Sequence, residues 1–243
     1  IMPCIAKKDE AARMELTSGG IPDVDVVITV REFARLLRRM GVDLHSIEPE
    51  PFDNPFMSAS TGAAVIFGSS GGVMEAAVRT VYAVLNGREM DHIEVAPLRG
   101  MDGVREASID LGPEHGSIRV AICHGLRNAH MLAEEALAGR SPYTFIEVMA
   151  CPGGCIDGGG TTRVKGDYHP CAARRQQALY AIDRSMPHRQ SHNNPQVKKL
   201  YADYLGAPNS HKAHELLHTA YADRREKPSE SIVSNKKRLT LTD

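Results

Sequence analysis

The sequence predicts an α/β fold, with parallel sheets flanked by helices and a helical extension at the C-terminal end. Three observations predict it. Apolar runs of strand length alternate with stretches of helical periodicity, glycines stand between the two, and the strand-like runs stop before residue 190. Strands that alternate with helices pair in parallel. The 243 residues are 42% hydrophobic, which is enough to bury a core of one domain or slightly more.

The first strand–helix unit spans residues 23–41. Residues 23–28 are predicted as a short strand, and Thr29 is predicted to begin a helix because Glu32, three positions later, completes a capping box. Gly41 is the expected end of that helix. Between them runs an apolar stripe at helical spacing, formed by Phe33, Leu36, Leu37 and Met40.

Further units follow along the chain. Residues 63–67 are predicted as a strand and residues 73–85 as a helix, joined by a glycine-rich turn at residues 68–72, which we call the glycine turn. This turn matches no complete nucleotide-binding fingerprint, so a plain strand-to-helix turn is favoured. A strand at 119–123 precedes a helix at 126–137, and a last strand at 144–149 leads directly to Cys151.

The chain is expected to divide into three parts. Residues 1–189 form the main domain, residues 190–223 a helical segment, and residues 224–243 a polar tail that is expected to be disordered. Helices as short as those of the second part are marginal alone. We therefore expect residues 194–221 to wrap across the main domain and to bury five apolar side chains, Leu200, Tyr201, Leu205, Leu216 and Leu217.

Charge and hydropathy exclude some classes of partner. The chain has 29 basic and 30 acidic residues, a balance that predicts neither nucleic-acid binding nor binding to an acidic membrane surface. No apolar run approaches the roughly 20 residues needed to span a bilayer. The cellular compartment is left open, with the cytoplasm favoured over the periplasm.

Five cysteines are unevenly spaced, which is unlike the framework of a disulfide-rich secreted protein. Cys151 and Cys155 flank Pro152, Gly153 and Gly154, and three more glycines follow: Gly158, Gly159 and Gly160. Glycine lets the backbone approach a bulky ligand closely, and amide N–H groups bond to the sulfurs of iron–sulfur clusters. Residues 151–160, the cysteine loop, therefore favour metal or cluster binding over an ordinary turn with two cysteines.

A second cysteine motif opens the chain, where Cys4 is followed by Lys7 and Lys8. Lysine cations lower the pKa of a nearby thiol and offset the negative charge of a cluster. Taken alone, the motif is weak evidence for a site, since a small buried residue beside a solvated charge pair has the same pattern. Parallel sheets collect ligands at the carboxyl ends of their strands, so we expect Cys4 to meet the cysteine loop there.

Four stretches of the sequence resemble the iron-only (di-iron) hydrogenases. MPCIAKKDE (2–10) resembles that family's second signature, and FIEVMACPGGCIDGGG (145–160) resembles its third. STGAAVIFGSSGGVMEAAVRT (60–80) is similar to the family between those signatures, and residues 193–221 are similar to its small-subunit segment. The resemblance implies an enzyme that reversibly reduces protons to molecular hydrogen.

The resemblance also implies the site. Cys4 and Cys151 would be ligands of a 4Fe–4S cubane, and Cys155 would bridge the cubane to a di-iron unit that carries carbon monoxide, cyanide and a dithiolate. Lys7 would donate to a cyanide ligand. The walls of the di-iron pocket would include Met2, Met149 and Phe67.

Two departures from the family pattern qualify the resemblance. The family's first signature, which supplies a fourth cubane ligand and a proton-relay thiol, would precede Ile1, so the chain is expected to be part of something longer and to make no hydrogen alone. Its partners would then be an upstream segment or subunit with electron-transfer clusters, and a redox donor such as ferredoxin or a nicotinamide-linked subunit. In addition, Thr161 and Thr162 replace the family's Gln-Pro.

The two remaining cysteines are weaker candidates as ligands. Cys123 lies within an apolar strand pattern and is interpreted as a plain buried cysteine. Cys171, at the predicted start of a helix, is the one candidate for a substitute ligand.

Two other functions are kept as alternatives. One is an iron–sulfur assembly protein of similar fold that lacks the di-iron unit. The other, more remote, is a zinc metalloprotease, because His214, Glu215 and His218 form an H-E-x-x-H motif whose imidazoles lie on one helix face. Lys7 and the pair Gly153–Gly154 follow the hydrogenase form of the signatures, and this favours the enzyme over the first alternative.

Overall fold

A computed structural model describes residues 1–53, 58–162 and 169–221 of the chain, apart from the side chains of residues 169 and 170. The predicted polar tail at 224–243 lies outside the described residues. Eight α-helices and five strands are present in these ranges. The helices are α1 (Ala6–Glu10), α2 (Val30–Met40), α3 (Gly62–Ile66), α4 (Gly72–Asn86), α5 (Leu126–Leu137), α6 (His169–Ser185), α7 (Pro195–Leu200) and α8 (His211–Leu217). The strands are β1 (Thr17–Ser18), β2 (Ile21–Pro22), β3 (Val104–Asp110), β4 (Ser117–His124) and β5 (Phe145–Met149).

The main sheet has the strand order β3-β4-β5 and is mixed. Strand β4 pairs in parallel with β5, with Cys123 opposite Val148, and α5 makes the connection between them. The α/β class and this parallel unit were predicted from the sequence and are confirmed. Strand β3, which pairs antiparallel with β4, was not predicted. Its inward positions are Arg105, Ala107 and Ile109, so a charge interrupts the apolar alternation that would identify a strand.

Two predicted strands are wrong. Residues 63–66 belong to helix α3 and Phe67 is its C-cap residue; the helix begins where the side chain of Thr61 accepts a hydrogen bond from the backbone N–H of Ala64. A short unbroken apolar run fits a buried strand or a buried helix equally well, and here packing against α6 selects the helix. Residues 23–28 form no strand, because no neighbouring strand pairs with them; the next residue, Thr29, makes only an isolated parallel bridge with Met2.

Helix α2 has the predicted termini. Thr29 and Glu32 form both bonds of a capping box, and Gly41 ends the helix with φ = 67°. No residue of this helix is buried, however, and Leu36 and Met40 on its apolar stripe are 46% and 66% exposed. The capping signal therefore set the length of the helix without specifying what covers its apolar face.

The largest apolar core lies between α4 and the β3–β4 hairpin. Beside it is a buried charge cluster in which Arg79 of α4 donates to both carboxylate oxygens of Asp183 on α6, each at 2.9 Å. Arg79 also donates to Glu75, and the side chains of Arg79, Glu75 and Asp183 have no exposed surface. The cluster ties α4 to α6, while the core beside it consists of Met74, Val78, Leu98, Ala107, Ile109, Leu111, Val120 and Ile122.

The C-terminal helical segment meets the expectation of burial only in part. Leu205, in a π-helical turn after α7, is 4% exposed, and Leu200 and Tyr201 are half-buried. Leu216 and Leu217 are 51% and 56% exposed, so the prediction was wrong for these two residues. Helix α8 is seven residues long and buries Ala213 instead, which leaves both leucines on its outer side.

Within the described ranges, no helix combines the length and apolar character needed to cross a membrane.

Candidate metal centre

The cysteine loop begins where β5 ends. Gly153 and Gly154 have φ angles of 71° and 101°, a conformation that residues with a side chain adopt rarely. A Cβ atom on Gly154 would lie 2.6 Å from the backbone nitrogen of Ser70 and 2.9 Å from the sulfur of Met149. Glycine is therefore required here by backbone conformation and by space.

The glycine turn packs directly against this loop through two backbone hydrogen bonds. The N–H of Ser70 donates to the carbonyl of Gly153, and the N–H of Ile156 donates to the carbonyl of Gly68, both at 2.9 Å. Phe67 precedes this turn, and its side chain is 45% exposed. Phe67 therefore directly precedes Gly68, whose carbonyl accepts the hydrogen bond from the cysteine loop.

Residues 3 and 4, at the N-terminal end of the chain, contact the C-terminal part of the cysteine loop. The N–H of Gly160 donates to the carbonyl of Pro3 at 2.9 Å, and a Cβ atom on Gly158 would clash with the same carbonyl. Helix α2 also binds the loop, because the backbone N–H of Arg31 donates to the carbonyl of Gly160 and the guanidinium of Arg31 donates to the carbonyl of Gly159. Segments about 150 residues apart in the sequence therefore converge, and glycine makes each close approach possible.

Thiol groups from both segments are neighbours. Cys4 and Cys151 are half-buried, Cys155 is exposed, and no cysteine of the chain is in a disulfide. Partial burial raises the pKa of the Cys155 thiol, and the nearby Cys4 raises this pKa further. The ammonium of Lys7 acts in the opposite direction. Cys4 and Lys7 are therefore close enough to Cys155 to influence its charge.

The donor chemistry fits an iron–sulfur cluster better than a single metal ion. Among the described residues, no three His, Cys, Asp or Glu side chains lie close enough together to hold one ion. A cubane presents a different iron atom to each thiolate, so its ligands stand farther apart than those of a single ion. Three thiols, a nearby lysine and a loop crowded with glycine are the components that such a cluster uses.

The other predicted site residues lie around this centre. Lys7 forms an ion pair with Glu10, one turn away on α1, and its side chain is 41% exposed. Met2 and Met149 are half-buried, and the sulfur of Met149 faces the backbone of Gly154. Met101 was not identified from the sequence, although a Cβ atom on Gly153 would lie 2.6 Å from its terminal carbon. No motif surrounds Met101, so pattern reasoning had no signal for it.

Glu147 was also missed. It is 5% exposed on β5, two residues before Met149, and its carboxylate accepts hydrogen bonds from the backbone N–H groups of Gly71 in the glycine turn and Met74 in α4. A carboxylate inside an apolar strand is the signal that could have identified it, because a buried charge requires partners.

The two remaining cysteines occupy different surroundings. Cys123 is fully buried on β4, where burial raises the pKa of its thiol, and this agrees with a packing role. Cys171 is half-buried near the start of α6, and Arg174 donates to its sulfur at 3.5 Å.

The H-E-x-x-H motif straddles a helix end. Helix α8 stops at Leu217, so His218 is its extended C-cap residue, and the rings of His214 and His218 lie 4.4 Å apart. In the part of the chain that the structure describes, no third His, Cys, Asp or Glu completes a metal-binding group with them. The geometry therefore adds no support to the zinc alternative.

Family models match most of the chain. The model for the C-terminal domain of the iron-only hydrogenase large subunit matches residues 1–159, and the model for the iron hydrogenase small subunit matches residues 170–224. These ranges contain all of the predicted site residues except Gly160, together with the C-terminal helices α7 and α8.

Similar proteins fall into two groups. The NADP-reducing hydrogenase subunit HndD of Solidesulfovibrio fructosivorans is 47% identical over 224 residues, which cover 92% of this chain and 37% of that protein. The cytosolic Fe-S cluster assembly factor narfl of Xenopus tropicalis is 34% identical over 227 residues, which cover 91% of this chain and 46% of the relative. The chain thus spans less than half the length of either protein.

Solved structures agree with the sequence matches. A variant of the FeFe-hydrogenase HydA1 from Chlamydomonas reinhardtii superposes with a TM-score of 0.71 at 37% sequence identity, covering 91% of this chain and 62% of that one. The fold described above is therefore found in a hydrogenase of known structure.

Proposed function

The chain belongs to the iron-only hydrogenase family, and we propose that it forms the part of such an enzyme that holds the 4Fe–4S cubane and the di-iron unit. The reaction is the reversible reduction of protons to molecular hydrogen. The observation that carries the proposal is the meeting of the Cys4 segment with the cysteine loop, through the bond from Gly160 to Pro3 and the influence of Cys4 on Cys155.

Each thiol has a distinct role in the proposal. Cys4, Cys151 and Cys155 would hold the cubane, and Cys155 would also hold the di-iron unit. When bound, the cluster supplies one-electron redox chemistry. The glycines of the loop, Gly153, Gly154, Gly158, Gly159 and Gly160, allow the backbone to surround it closely.

The remaining site residues shape and polarise the pocket. Lys7, which forms an exposed ion pair with Glu10, would donate from its ammonium to an anionic diatomic ligand of the di-iron unit. Exposed ion pairs contribute little to stability, so the pair with Glu10 is no obstacle to that role. Met2, Met149 and Phe67 exclude water from the di-iron side. A dry wall strengthens the interaction between the lysine and the anion.

The partners follow from the length of the relatives. The chain spans 37% of one hydrogenase subunit and 38% of an iron hydrogenase. The fourth cubane thiolate, the proton-relay thiol and the electron-transfer clusters are proposed to belong to a segment or subunit carrying the first signature. The electron donor is a ferredoxin or a nicotinamide-linked subunit.

A second function has its own support. The match to a cytosolic Fe-S cluster assembly factor shows that this sequence pattern also occurs in a protein of that class. In that case the chain would hold a cubane without a di-iron unit. Infrared bands of carbonyl and cyanide ligands after maturation distinguish the two functions, because only the hydrogenase carries those ligands.

The test is anaerobic maturation of the 243-residue chain, alone and together with a segment carrying the first signature. Iron content, infrared bands and hydrogen evolution are measured for the native chain, Cys4→Ser, Cys151→Ser and Cys155→Ser, with Cys123→Ala as the buried control. We expect cluster loading to fall at least about tenfold in each serine variant and to persist in the control. Loading that survives all three serine substitutions contradicts the proposal.

The same assay decides the role of Cys171. The chain alone is expected to make no hydrogen, since one cubane iron lacks a protein thiolate. Hydrogen evolution by the chain alone that disappears in Cys171→Ser would identify Cys171 as the fourth ligand.

A further inference from the structure

We propose that Glu147 is a positioning residue of the candidate centre, whose buried carboxylate holds the glycine turn against the cysteine loop. The inference rests on the proposed function for its effect on the cluster. The geometric part stands on the protein alone and is tested separately.

The carboxylate of Glu147 spans the first turn of α4. One oxygen accepts from the backbone N–H of Gly71 at 2.6 Å, and the other accepts from the N–H of Met74 at 2.7 Å. Helix α4 begins at a glycine N-cap, which has no side chain to bond these N–H groups. A strand residue from across the core therefore caps the helix, and its charge lies at the positive end of a 15-residue helix dipole.

The same turn is bonded to the cysteine loop at its other end. Ser70 donates to Gly153, and Gly68 accepts from Ile156. Glu147 lies on β5, which continues through Met149 into that loop. The glycine turn is therefore connected to the cysteine loop in two ways: directly by backbone hydrogen bonds, and through Glu147 and the end of β5. The length of the Glu147 side chain thereby sets the distance between the turn that follows Phe67 and the loop that carries Cys151 and Cys155.

A buried cation balances the charge of Glu147. The Arg105 side chain donates to the carbonyls of Ser70 at 3.0 Å and Leu98 at 3.3 Å, and the residue is 9% exposed. Burial raises the pKa of Glu147, while the N–H bonds from the turn and the charge of Arg105 act in the opposite direction. Glu147 and Arg105 therefore both bind the glycine turn, and the turn is held by charged side chains as well as by backbone hydrogen bonds.

Glutamine cannot replace this carboxylate. Two N–H groups point at Glu147, and an ionised carboxylate accepts at both oxygens. The amide of glutamine has one acceptor and one donor, so one N–H would face another donor. Glu147→Gln therefore changes the bonding with little change of shape, and Glu106→Gln is the matched control because Glu106 lies 51% exposed on β3.

The first experiment measures amide hydrogen exchange in the 243-residue chain. Glu147→Gln should accelerate exchange at Gly71 and Met74 and also at Ser70 and Ile156, by roughly ten- to hundredfold. Acceleration confined to Gly71 and Met74 would mean that Glu147 only caps the helix, and this would overturn the proposal. If the glutamine variant does not fold, Glu147→Asp keeps the charge with a shorter reach and should accelerate exchange at the same amides.

The second experiment measures the reconstituted iron–sulfur cluster by electron paramagnetic resonance and redox titration. Glu147→Gln should bind as much iron as the native chain but show shifted g-values and a shifted midpoint potential, whereas Glu106→Gln should match the native chain. Spectra and potential that are identical in Glu147→Gln and the native chain would overturn the proposal. Both variants and the native chain are matured together with the segment that carries the first signature. If the native chain binds no cluster even then, the proposed function fails instead, and the exchange experiment decides the geometric claim.

Discussion

Residues 1–53 and the α3–α4–α6 region of the chain are held in place by different means. The α3–α4–α6 region packs around the buried cluster of Arg79, Glu75 and Asp183, all of which are at most 1% exposed. In residues 1–53, which we call the N-terminal segment, Thr29 is the one buried residue. That segment is attached to the cysteine loop mainly through backbone and arginine hydrogen bonds around Gly159 and Gly160.

The candidate centre lies on the boundary between these two regions. Cys151 and Cys155 come from the loop that the glycine turn supports, and Cys4 comes from the N-terminal segment. A cluster ligated from both sides would therefore add a link where the protein itself provides little packing. The difference teaches that the cysteine loop is supported by buried contacts of the protein itself, whereas we expect the position of Cys4 to depend more strongly on a bound cluster.

The largest expected effect tests the rigid region. Asp183→Ala removes a carboxylate that Arg79 and Arg189 share and leaves buried guanidinium charge without its partner. We expect the free energy of unfolding to fall by about 3–5 kcal/mol, as when one member of a buried ion pair is deleted. Urea unfolding followed by circular dichroism measures it.

Glu106→Ala is the control for that measurement, since it removes an exposed ion pair with Arg119. Its cost should stay below about 1 kcal/mol. Equal costs for the two substitutions would show that the buried cluster does not stabilise the fold as described.

The second prediction targets the boundary itself. A Cβ atom on Gly160 would lie 2.9 Å from the carbonyl carbon of Pro3 and 3.0 Å from the nitrogen of Cys4, so Gly160→Ala must push the N-terminal segment away from the loop. We expect a cost of about 1–3 kcal/mol from overpacking, together with weaker cluster binding.

Gly159→Ala provides the matched comparison for Gly160→Ala. There a Cβ atom would meet only the flexible end of Ile5, at 3.3 Å. Denaturant unfolding and iron loading measured on both variants should separate them. If Gly159→Ala is as damaging as Gly160→Ala, the close approach of the two segments is not what matters.

The third prediction is that removal of the cluster loosens the two regions unequally. Anaerobic chelation of the reconstituted chain should accelerate amide exchange in residues 1–53 by about tenfold, because a ligand that binds only the folded arrangement stabilises that arrangement. Amides of β3 and β4 should exchange as before. Uniform acceleration across both regions would contradict the contrast drawn above.

The smallest expected effect is a pH dependence within the N-terminal segment. A hydrogen bond from Lys8 at 2.7 Å and bonds from Thr29 lower the pKa of Glu32 to about 2, from an ordinary value of 4.5. Because the pKa is lowered in the folded state, this stabilisation is complete above pH 4.5 and is lost as the pH falls toward 2.

An NMR titration of the Glu32 carboxyl group measures that pKa directly. Lys8→Met should move it back toward the ordinary value, whereas Arg119→Met, in another exposed pair, should leave it unchanged. A native Glu32 that titrates near 4.5 would show that the bonds from Lys8 and Thr29 do not persist in solution.

Local signals in the sequence predicted the parts of the fold that depend on neighbouring residues. The capping box of Thr29 and Glu32, the C-cap at Gly41 and the parallel pair β4–β5 all follow from patterns within about 30 residues, and the structure confirms them. The same kind of reasoning failed for residues 63–67 and for the outward leucines of α8, because short apolar runs do not specify which neighbour will cover them.

The sequence by itself determined the components of the candidate centre: the cysteines, the glycines of the loop and the family to which they belong. Only the tertiary structure decided how those components meet. It placed Pro3 against Gly158 and Gly160, brought the glycine turn to the loop, and set the Glu147 carboxylate at the start of α4. The physical reason is that residue types carry the chemistry of a site, whereas contacts between segments about 150 residues apart depend on how the intervening helices and strands pack.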